Sequence, residues 1–82
     1  MSPTVLKIKG YRFFFFSNDS DEPPHVHVEF GGRYAKFWLN PVLLTRSRDF
    51  NSSELTYLRK LVENNKTLLL EKWHEYFNIN QG

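Results

Sequence analysis

The chain has 82 residues, of which 40% are hydrophobic and 17% aromatic, and its formal net charge is +2. This length suits one small domain, and the aromatic content suffices for a compact core. Because the sequence contains no cysteine, disulfide scaffolds, thiolate zinc sites and cysteine nucleophiles are excluded. There is no apolar run near the roughly 20 residues of a membrane helix and no signal-peptide core, so we expect a cytoplasmic protein without a membrane partner.

The first half of the chain shows the alternation that is typical of β-strands. Four segments show it: TVLKIKG, YRFFFFSN, HVHVEF and RYAKFWL. Gly31-Gly32 lies between the last two segments, which predicts a two-residue hairpin turn, and Lys9-Gly10 lies between the first two. The intervening loop, SNDSDEPP, is rich in turn-forming residues. We therefore expect four strands within residues 1–40.

The second half changes to the period of an amphipathic helix. Apolar residues recur there at intervals of three and four: Leu55, Leu58, Leu61, Val62, Leu69, Trp73 and Tyr76 or Phe77. Asn51 and Glu54 have the spacing of a capping box. Asn64-Asn65 are weak helix formers, so residues 51–78 form either one long bent helix or two short ones.

The connection between the halves, PVLLTRSRDF over residues 41–50, is either a loop or a short extra strand. With strands first and helix after, we predict a single α+β domain over residues 1–82. Its expected fold is an antiparallel β-meander of about four strands packed against C-terminal helix.

The turn at Gly31-Gly32 predicts the register, with His27 opposite Lys36 and His25 opposite Trp38. Because side chains alternate across a strand, the sheet acquires two different faces. The core face, which the helix covers, collects Val26, Val28, Phe30, Ala35, Phe37 and Leu39, with Leu6, Ile8, Phe13 and Phe15. The opposite face collects His25, His27, Glu29, Tyr34, Lys36 and Trp38, with Lys7, Arg12, Phe14 and Phe16.

The opposite face is basic and aromatic. Residues 1–48 carry seven Lys/Arg against four Asp/Glu, whereas residues 49–82 carry four against five. RNA-binding sheets combine rings that stack on bases with cations that hold phosphates. Lys7 and Arg12 are expected opposite each other, and this like-charge pair is easier to explain if an anion sometimes binds there. Exposed rings also favour a partner or oligomer surface.

His25 and His27 suggest three alternatives. In the first, the two imidazoles act as acid and base in cleavage of a phosphodiester bond, without a metal, and the 2′-hydroxyl of RNA is the nucleophile. Lys36 and Arg12 would then stabilise the negative transition state.

In the second alternative, the His-x-His pair and one carboxylate, from Glu29, Asp21 or Glu22, bind a metal ion. In the third, both histidines are packed or hydrogen-bonded strand residues without chemistry. His74 is interpreted as a surface residue of the helix.

Five stretches of the sequence resemble a known family: the opening Pro-Thr-Val, GYRFFFFSND, EPPHVHV, AKFWL and the closing WHEYF. Together they make nearly the whole chain similar to the small bacterial family catalogued as domain of unknown function 4160. Members often look like half of a two-gene unit, beside a small protein of the 2442 family, in an arrangement similar to toxin–antitoxin pairs. The resemblance implies a toxin-like role and carries no catalytic assignment. Its motif covers Glu22, Pro23, Pro24, His25 and His27, with Arg12, Lys36 and Trp38 beside them.

We predict the toxin-like member of a toxin–antitoxin type pair, a metal-independent nuclease that acts on RNA and needs no cofactor. The expected partners are a cognate antitoxin-like protein of the 2442 type, RNA and a second copy of the chain. The predicted catalytic residues are His25, His27 and Lys36. The predicted substrate-binding residues are Arg12, Lys7, Tyr34, Trp38 and Glu22. One alternative is a non-catalytic module that binds nucleic acid or protein, and the other is a His-x-His metal-binding protein.

Overall fold

The computed structural model describes residues 4–78, so the predicted domain limits at residues 1 and 82 lie outside the described residues. Five strands come first: β1 (Thr4–Ile8), β2 (Tyr11–Phe14), β3 (His25–Phe30), β4 (Arg33–Leu39) and β5 (Val42–Arg48). Two helices follow, α1 (Ser52–Asn64) and α2 (Lys66–Asn78). The strands form one antiparallel sheet in chain order. The α+β meander is confirmed, with five strands where about four were expected.

Two tight turns hold the hairpins of this sheet in register. Lys9 and Gly10 have φ angles of 51° and 88°, and Gly31 and Gly32 have φ angles of 54° and 80°. Positive φ at both central residues defines a type I′ turn, whose twist matches the twist of paired strands. Glycine adopts this conformation without steric cost, which explains why three of the four positions are glycine.

The register of the β3–β4 hairpin is confirmed along its whole length, from Phe30 opposite Arg33 to His25 opposite Trp38. A slip of one residue would move every side chain of a strand to the other face, so this register decides which side chains share a face. The histidines therefore lie on the face that does not form the main core.

Strand β5 is the segment that the sequence left open between a loop and a strand. It pairs with β4 along its length and forms one edge of the sheet. The register shifts between Lys36 and Phe37, as at a β-bulge. Beyond this shift, Arg46 lies opposite Lys36 and Arg48 lies opposite Tyr34. The bulge thus places two further arginines on the same face as the histidines.

The other face of the sheet packs against α1 and α2. The core contains side chains from the sheet, both helices and the β5–α1 connection: Phe13, Phe15, Val26, Val28, Ala35, Phe37, Leu39, Phe50, Leu58, Val62, Leu69 and Trp73. Every strand residue in this set was predicted for the core face. Within residues 4–78, neither helix is long and apolar enough to cross a membrane.

Local hydrogen bonds mark the start of α1 and the break after it. Asn51 and Glu54 form the predicted capping box, since each side chain accepts a hydrogen bond from the backbone N–H of the other residue. At the break, the side chain of Asn65 donates to the carbonyl of Leu61, and its backbone N–H donates to the carbonyls of Leu61 and Val62. The alternative of two short helices is therefore the one that the chain adopts.

Candidate functional site

The face opposite the helices carries two neighbouring groups of side chains. The first is a groove of about 770 Å³, called here the arginine groove, lined by Arg12, Phe14, Phe16, Glu29, Tyr34, Arg46, Ser47 and Arg48. The second, called here the histidine cluster, consists of Asp19, His25 and His27, whose ligand atoms lie within 4.8 Å of one another. Rings of the groove cover the cluster, so the two groups share a wall.

Three arginines against one glutamate make the arginine groove basic. Arg12 Nη1 donates to Glu29 Oε1 at 2.8 Å, and its guanidinium lies 4.2 Å from the ring centre of Phe14. The guanidinium of Arg48 lies 5.5 Å from the ring centre of Tyr34. These cation–π contacts place the two guanidinium groups against aromatic rings that line the same groove. Arg46 and Arg48 are exposed on the edge strand.

Lys7 and Arg12 lie directly opposite each other, as predicted. Arg12 also lies opposite Glu29 on the other side of β2, and Arg12 Nε donates to Thr4 Oγ1 at 2.8 Å. The protein itself therefore supplies a negative partner for Arg12. Lys7 is exposed and does not line the groove.

Aromatic rings form the wall between the groove and the histidine cluster. Phe16 is 41% exposed, whereas Phe14 is buried. The ring centre of His27 lies 5.3 Å from that of Phe14 and 4.6 Å from that of Phe16. The exposed Phe16 ring is thus accessible for stacking, while it also makes an edge contact with the imidazole of His27.

His25 is fully buried, and its two nitrogens have different environments. Nδ1 lies 2.9 Å from the carbonyl oxygen of Pro23, which only accepts, so Nδ1 carries the hydrogen and donates it. Nε2 lies 3.1 Å from Asp19 Oδ1 but has no hydrogen-bond partner among residues 4–78. Trp38 and Trp73 pack against the ring, which explains how a residue of the open face becomes inaccessible.

His27 is 3% exposed and bridges the loop before β3 to strand β4. Its Nε2 lies 2.9 Å from Asp19 Oδ2, and its Nδ1 lies 2.8 Å from the hydroxyl of Tyr34. Burial lowers the pKa of His27, and the nearby Asp19 carboxylate opposes this effect in part. A neutral ring satisfies both contacts, with Nε2–H donating to Asp19 and the hydroxyl of Tyr34 donating to Nδ1.

Lys36 is also buried, and its charge is balanced by Glu22. Lys36 Nζ donates to Glu22 Oε1 at 2.7 Å and lies 5.1 Å from the ring centre of Trp38. The hydrogen bond from Lys36 lowers the pKa of Glu22, so this carboxyl is ionised at neutral pH. The ion pair lies beside His25, whose Nδ1 is 3.6 Å from Glu22 Oε1.

The structure divides the predicted site residues into three groups. Arg12 and Tyr34 line the arginine groove. The second group lies in or beside the histidine cluster: His25, His27, Lys36, Glu22 and Trp38. Lys7 stands apart from both, and His74 is exposed on α2, as expected for a surface residue.

The carboxylate that forms a three-ligand group with both histidines is Asp19, which was not among the three carboxylates predicted from the sequence. Of those three, Glu22 lies beside Nδ1 of His25 and not beside the Nε2 atoms that face Asp19. Glu29 pairs with Arg12, Glu22 pairs with Lys36, and Asp21 is exposed. Asp19 reaches the rings because a 3₁₀ turn over Asp19–Asp21 folds the loop back against β3. The loop composition predicted turns, but periodicity contains no information about which loop side chain points inward.

Arg46 and Arg48 line the groove but were not among the predicted site residues. Their spacing of two in TRSR is a signal for a strand with one basic face. The consecutive Leu43-Leu44 hides this alternation, because the bulge in the β4–β5 pairing interrupts the period. Because of the bulge, Arg46 lies beside Lys36 and Arg48 beside Tyr34.

Comparison with known proteins gives a family and nothing finer. No curated protein and no solved structure matches the chain. The family described as Domain of unknown function (DUF4160) matches residues 10–74, which contain strands β2 to β5, helix α1, most of α2 and both groups of site residues. The chain belongs to this DUF4160 family.

Proposed function

We propose that the protein binds single-stranded RNA through the arginine groove. The observation that carries the proposal is the combination of three arginines and three aromatic rings in one groove of about 770 Å³ on an open sheet face. A cavity of this volume is of the size that binds a small ligand, on the order of one or two nucleotides.

The charges of the groove fit a phosphate backbone. Arg46 and Arg48 lie two residues apart on β5, so their side chains follow the edge of the sheet at a spacing of about 7 Å. Successive phosphates of an extended strand are separated by a comparable distance, and neutralising them releases counterions. Arg12 lies on the far side of the groove and carries its own counter-charge, Glu29.

The rings of the groove fit unpaired bases. Phe16 presents an exposed ring, and Tyr34 lies half-buried beneath the guanidinium of Arg48. Bases of single strands stack on such rings and on arginine planes, whereas the bases of a duplex are already stacked on one another. The groove therefore favours a single strand over a double helix.

The nuclease hypothesis for His25, His27 and Lys36 stays a prediction. The burial of these side chains restricts the nuclease hypothesis, because a general acid or base must contact the reacting atoms. His25 is fully buried behind Trp38 and Trp73, so a phosphodiester bond would contact it only after these rings move. The groove residues can therefore bind RNA without His25 taking part.

The toxin-like role and the antitoxin-like partner of the 2442 type also stay predictions. A protein partner that covers the arginine groove would need to be acidic, because the groove has an excess of two positive charges, from three arginines and one glutamate. Such a partner would compete with RNA for the same residues. Binding of the partner would therefore inhibit binding of RNA.

The double variant Arg46→Ala/Arg48→Ala is expected to lower the affinity for a uridine octamer by about 10- to 100-fold at low salt. Two phosphate contacts are lost, so the slope of log affinity against log salt concentration should fall in magnitude by about 1.4. Phe16→Ala should weaken binding by about tenfold without changing the slope, since it removes stacking and not charge. Fluorescence anisotropy of a labelled octamer over a series of salt concentrations measures both quantities.

The charge-matched control is Arg59→Ala/Lys60→Ala, which removes two positive charges from the surface of α1. This control should retain most of the affinity and nearly the whole salt slope of the original chain. If both double variants lose affinity equally, binding reflects net charge alone and the groove is not the site. Tighter binding of the octamer's DNA equivalent would exclude recognition of the 2′-hydroxyl.

A further inference from the structure

The histidine cluster contains a fully buried ring nitrogen without a hydrogen-bond partner among residues 4–78. His25 donates through Nδ1 to the carbonyl of Pro23, so Nε2 is the ring nitrogen whose lone pair can bind a metal ion. Asp19 Oδ1 lies 3.1 Å from this nitrogen. A lone pair facing a carboxylate is unfavourable unless a positive group lies between them.

His27 can direct its Nε2 to the same point. Its Nδ1 lies 2.8 Å from the hydroxyl oxygen of Tyr34, which accepts as well as donates. If Nδ1–H donates to Tyr34, the lone pair of Nε2 points toward Asp19, as the lone pair of His25 does. Histidines that bind metals usually donate their other ring N–H to a nearby acceptor. For Nδ1 of His25 this acceptor is the carbonyl of Pro23, and for Nδ1 of His27 it is the hydroxyl of Tyr34.

The distances from Asp19 to the two histidines match those between ligands of one metal ion, and the three ligand atoms all lie within 4.8 Å of one another. Nε2 of His25 and Nε2 of His27 lie 3.1 Å and 2.9 Å from the two oxygens of Asp19. Ligand atoms at about 2.0–2.2 Å from one ion lie roughly 3 to 3.5 Å from each other. We propose that Asp19, His25 and His27 together bind a divalent transition-metal ion of the zinc or iron(II) class.

The donor atoms select this class of metal. Two imidazole nitrogens and one carboxylate suit zinc, iron(II), cobalt(II) and nickel(II), whereas magnesium and calcium prefer ligand sets made only of oxygen. The side chain of His25 is fully buried, whereas the Asp19 side chain is 11% exposed. The loop side, which carries Asp19, is therefore the side of the cluster nearest to solvent.

The position of Asp19 indicates what such an ion would do. Asp19 belongs to the loop between β2 and β3, whereas both histidines belong to β3. An ion held by all three would fasten this loop to the sheet, behind the rings of Phe14 and Phe16 that line the arginine groove. The proposed role is structural, and it does not depend on whether the groove binds RNA.

Titration of the EDTA-treated chain with Zn²⁺ tests the site. We expect one ion per chain, a dissociation constant on the order of micromolar or tighter, and a rise in Tm of about 5 °C or more. Co²⁺ should give the visible absorption of a low-symmetry nitrogen–oxygen site, and Mg²⁺ should leave Tm unchanged. Calorimetry, absorption spectroscopy and thermal unfolding provide these readouts without any assay of activity.

Variants separate this site from accidental binding at the surface. Asp19→Asn keeps an oxygen that accepts the backbone N–H of Phe16, so the loop can still close, but Zn²⁺ should bind at least about tenfold more weakly. His74→Gln removes the exposed histidine of α2 and should leave the affinity unchanged. In the unaltered chain, Zn²⁺ should shift the ring resonances of His25 and His27 and not those of His74.

Three results would overturn the proposal. The first is no saturable Zn²⁺ binding up to about 1 mM, which would mean that a proton, and not a metal ion, lies between His25 and Asp19. The second is a loss of affinity in His74→Gln as large as that in Asp19→Asn. The third is a ring shift at His74 alone, a result that remains informative even if the Asp19 variant fails to fold.

Discussion

Replacing Phe37 by alanine is expected to lower the free energy of unfolding by about 3–5 kcal/mol, the largest effect of any single change considered for this chain. Phe37 lies in β4 with its side chain fully buried between the sheet and the helices. Alanine removes most of the ring's buried area and leaves a cavity that the surrounding strands cannot fill. The free energy of unfolding of a small domain is only about 5–15 kcal/mol, so a loss of this size should bring the variant close to unfolding.

The cross-strand neighbour of Phe37 provides the control. Leu44 lies opposite Phe37 on β5 and is 42% exposed. Leu44→Ala should cost about 1 kcal/mol or less, because less of its area leaves water on folding. Urea unfolding monitored by the fluorescence of Trp38 and Trp73 measures both variants. Equal losses for the two would mean that the helices do not cover this face as described.

The second large effect is expected at Asp19, where alanine should cost about 2–4 kcal/mol in the metal-free chain. Asp19 Oδ2 accepts from the backbone N–H of Phe16 at 2.7 Å and lies 2.9 Å from Nε2 of His27. Its removal leaves a buried imidazole N–H without an acceptor and releases the loop that closes over β3. An unsatisfied buried donor costs about 1–3 kcal/mol, and the lost loop contact adds to this.

Asp21 is the matched control for this change, because it belongs to the same 3₁₀ turn but is exposed. Asp21→Ala should change the free energy of unfolding by less than about 0.5 kcal/mol. The two variants are compared by urea unfolding in the presence of EDTA, so that bound metal does not contribute. A small effect of Asp19→Ala would show that the loop is held by its backbone hydrogen bonds and not by the histidine cluster.

The β3–β4 hairpin was predictable in detail because its determinants are local. Gly31-Gly32 specifies a type I′ turn, and that turn specifies the partner of every residue in the two strands. The core face then follows from alternation alone. The capping box at Asn51 and Glu54 is equally local, since it depends on residues three positions apart.

The candidate site was predicted less well because its geometry depends on distant parts of the chain. His25 was expected on an open surface, but Trp73 of α2 packs against its ring and Asp19 of the loop before β3 lies beside it. The alternation of residues within β3 contains no information about the positions of α2 and of this loop. Burial is therefore a tertiary property, and it changes how His25 and His27 are interpreted: from candidate catalysts on an open surface to buried groups held by Asp19.

Strand β5 was not predicted with certainty for a different reason. A β-bulge adds a residue to one strand, so the period of two is interrupted and the pattern no longer resembles a strand. The basic character of the open face was nevertheless evident from the charge of residues 1–48. The sequence thus predicted that this face is basic, but it did not predict that Arg46 and Arg48 lie on it.

The measurement that tests RNA binding by the arginine groove most directly is an NMR titration of the ¹⁵N-labelled chain with a uridine octamer. We expect the amide resonances of Phe14, Phe16, Tyr34, Arg46 and Arg48 to shift in proportion to bound RNA, while those of the exposed side of α1 remain in place. Shifts confined to the helices, or the absence of any saturable shift at low salt, would contradict the assignment of this face as the nucleic-acid interface.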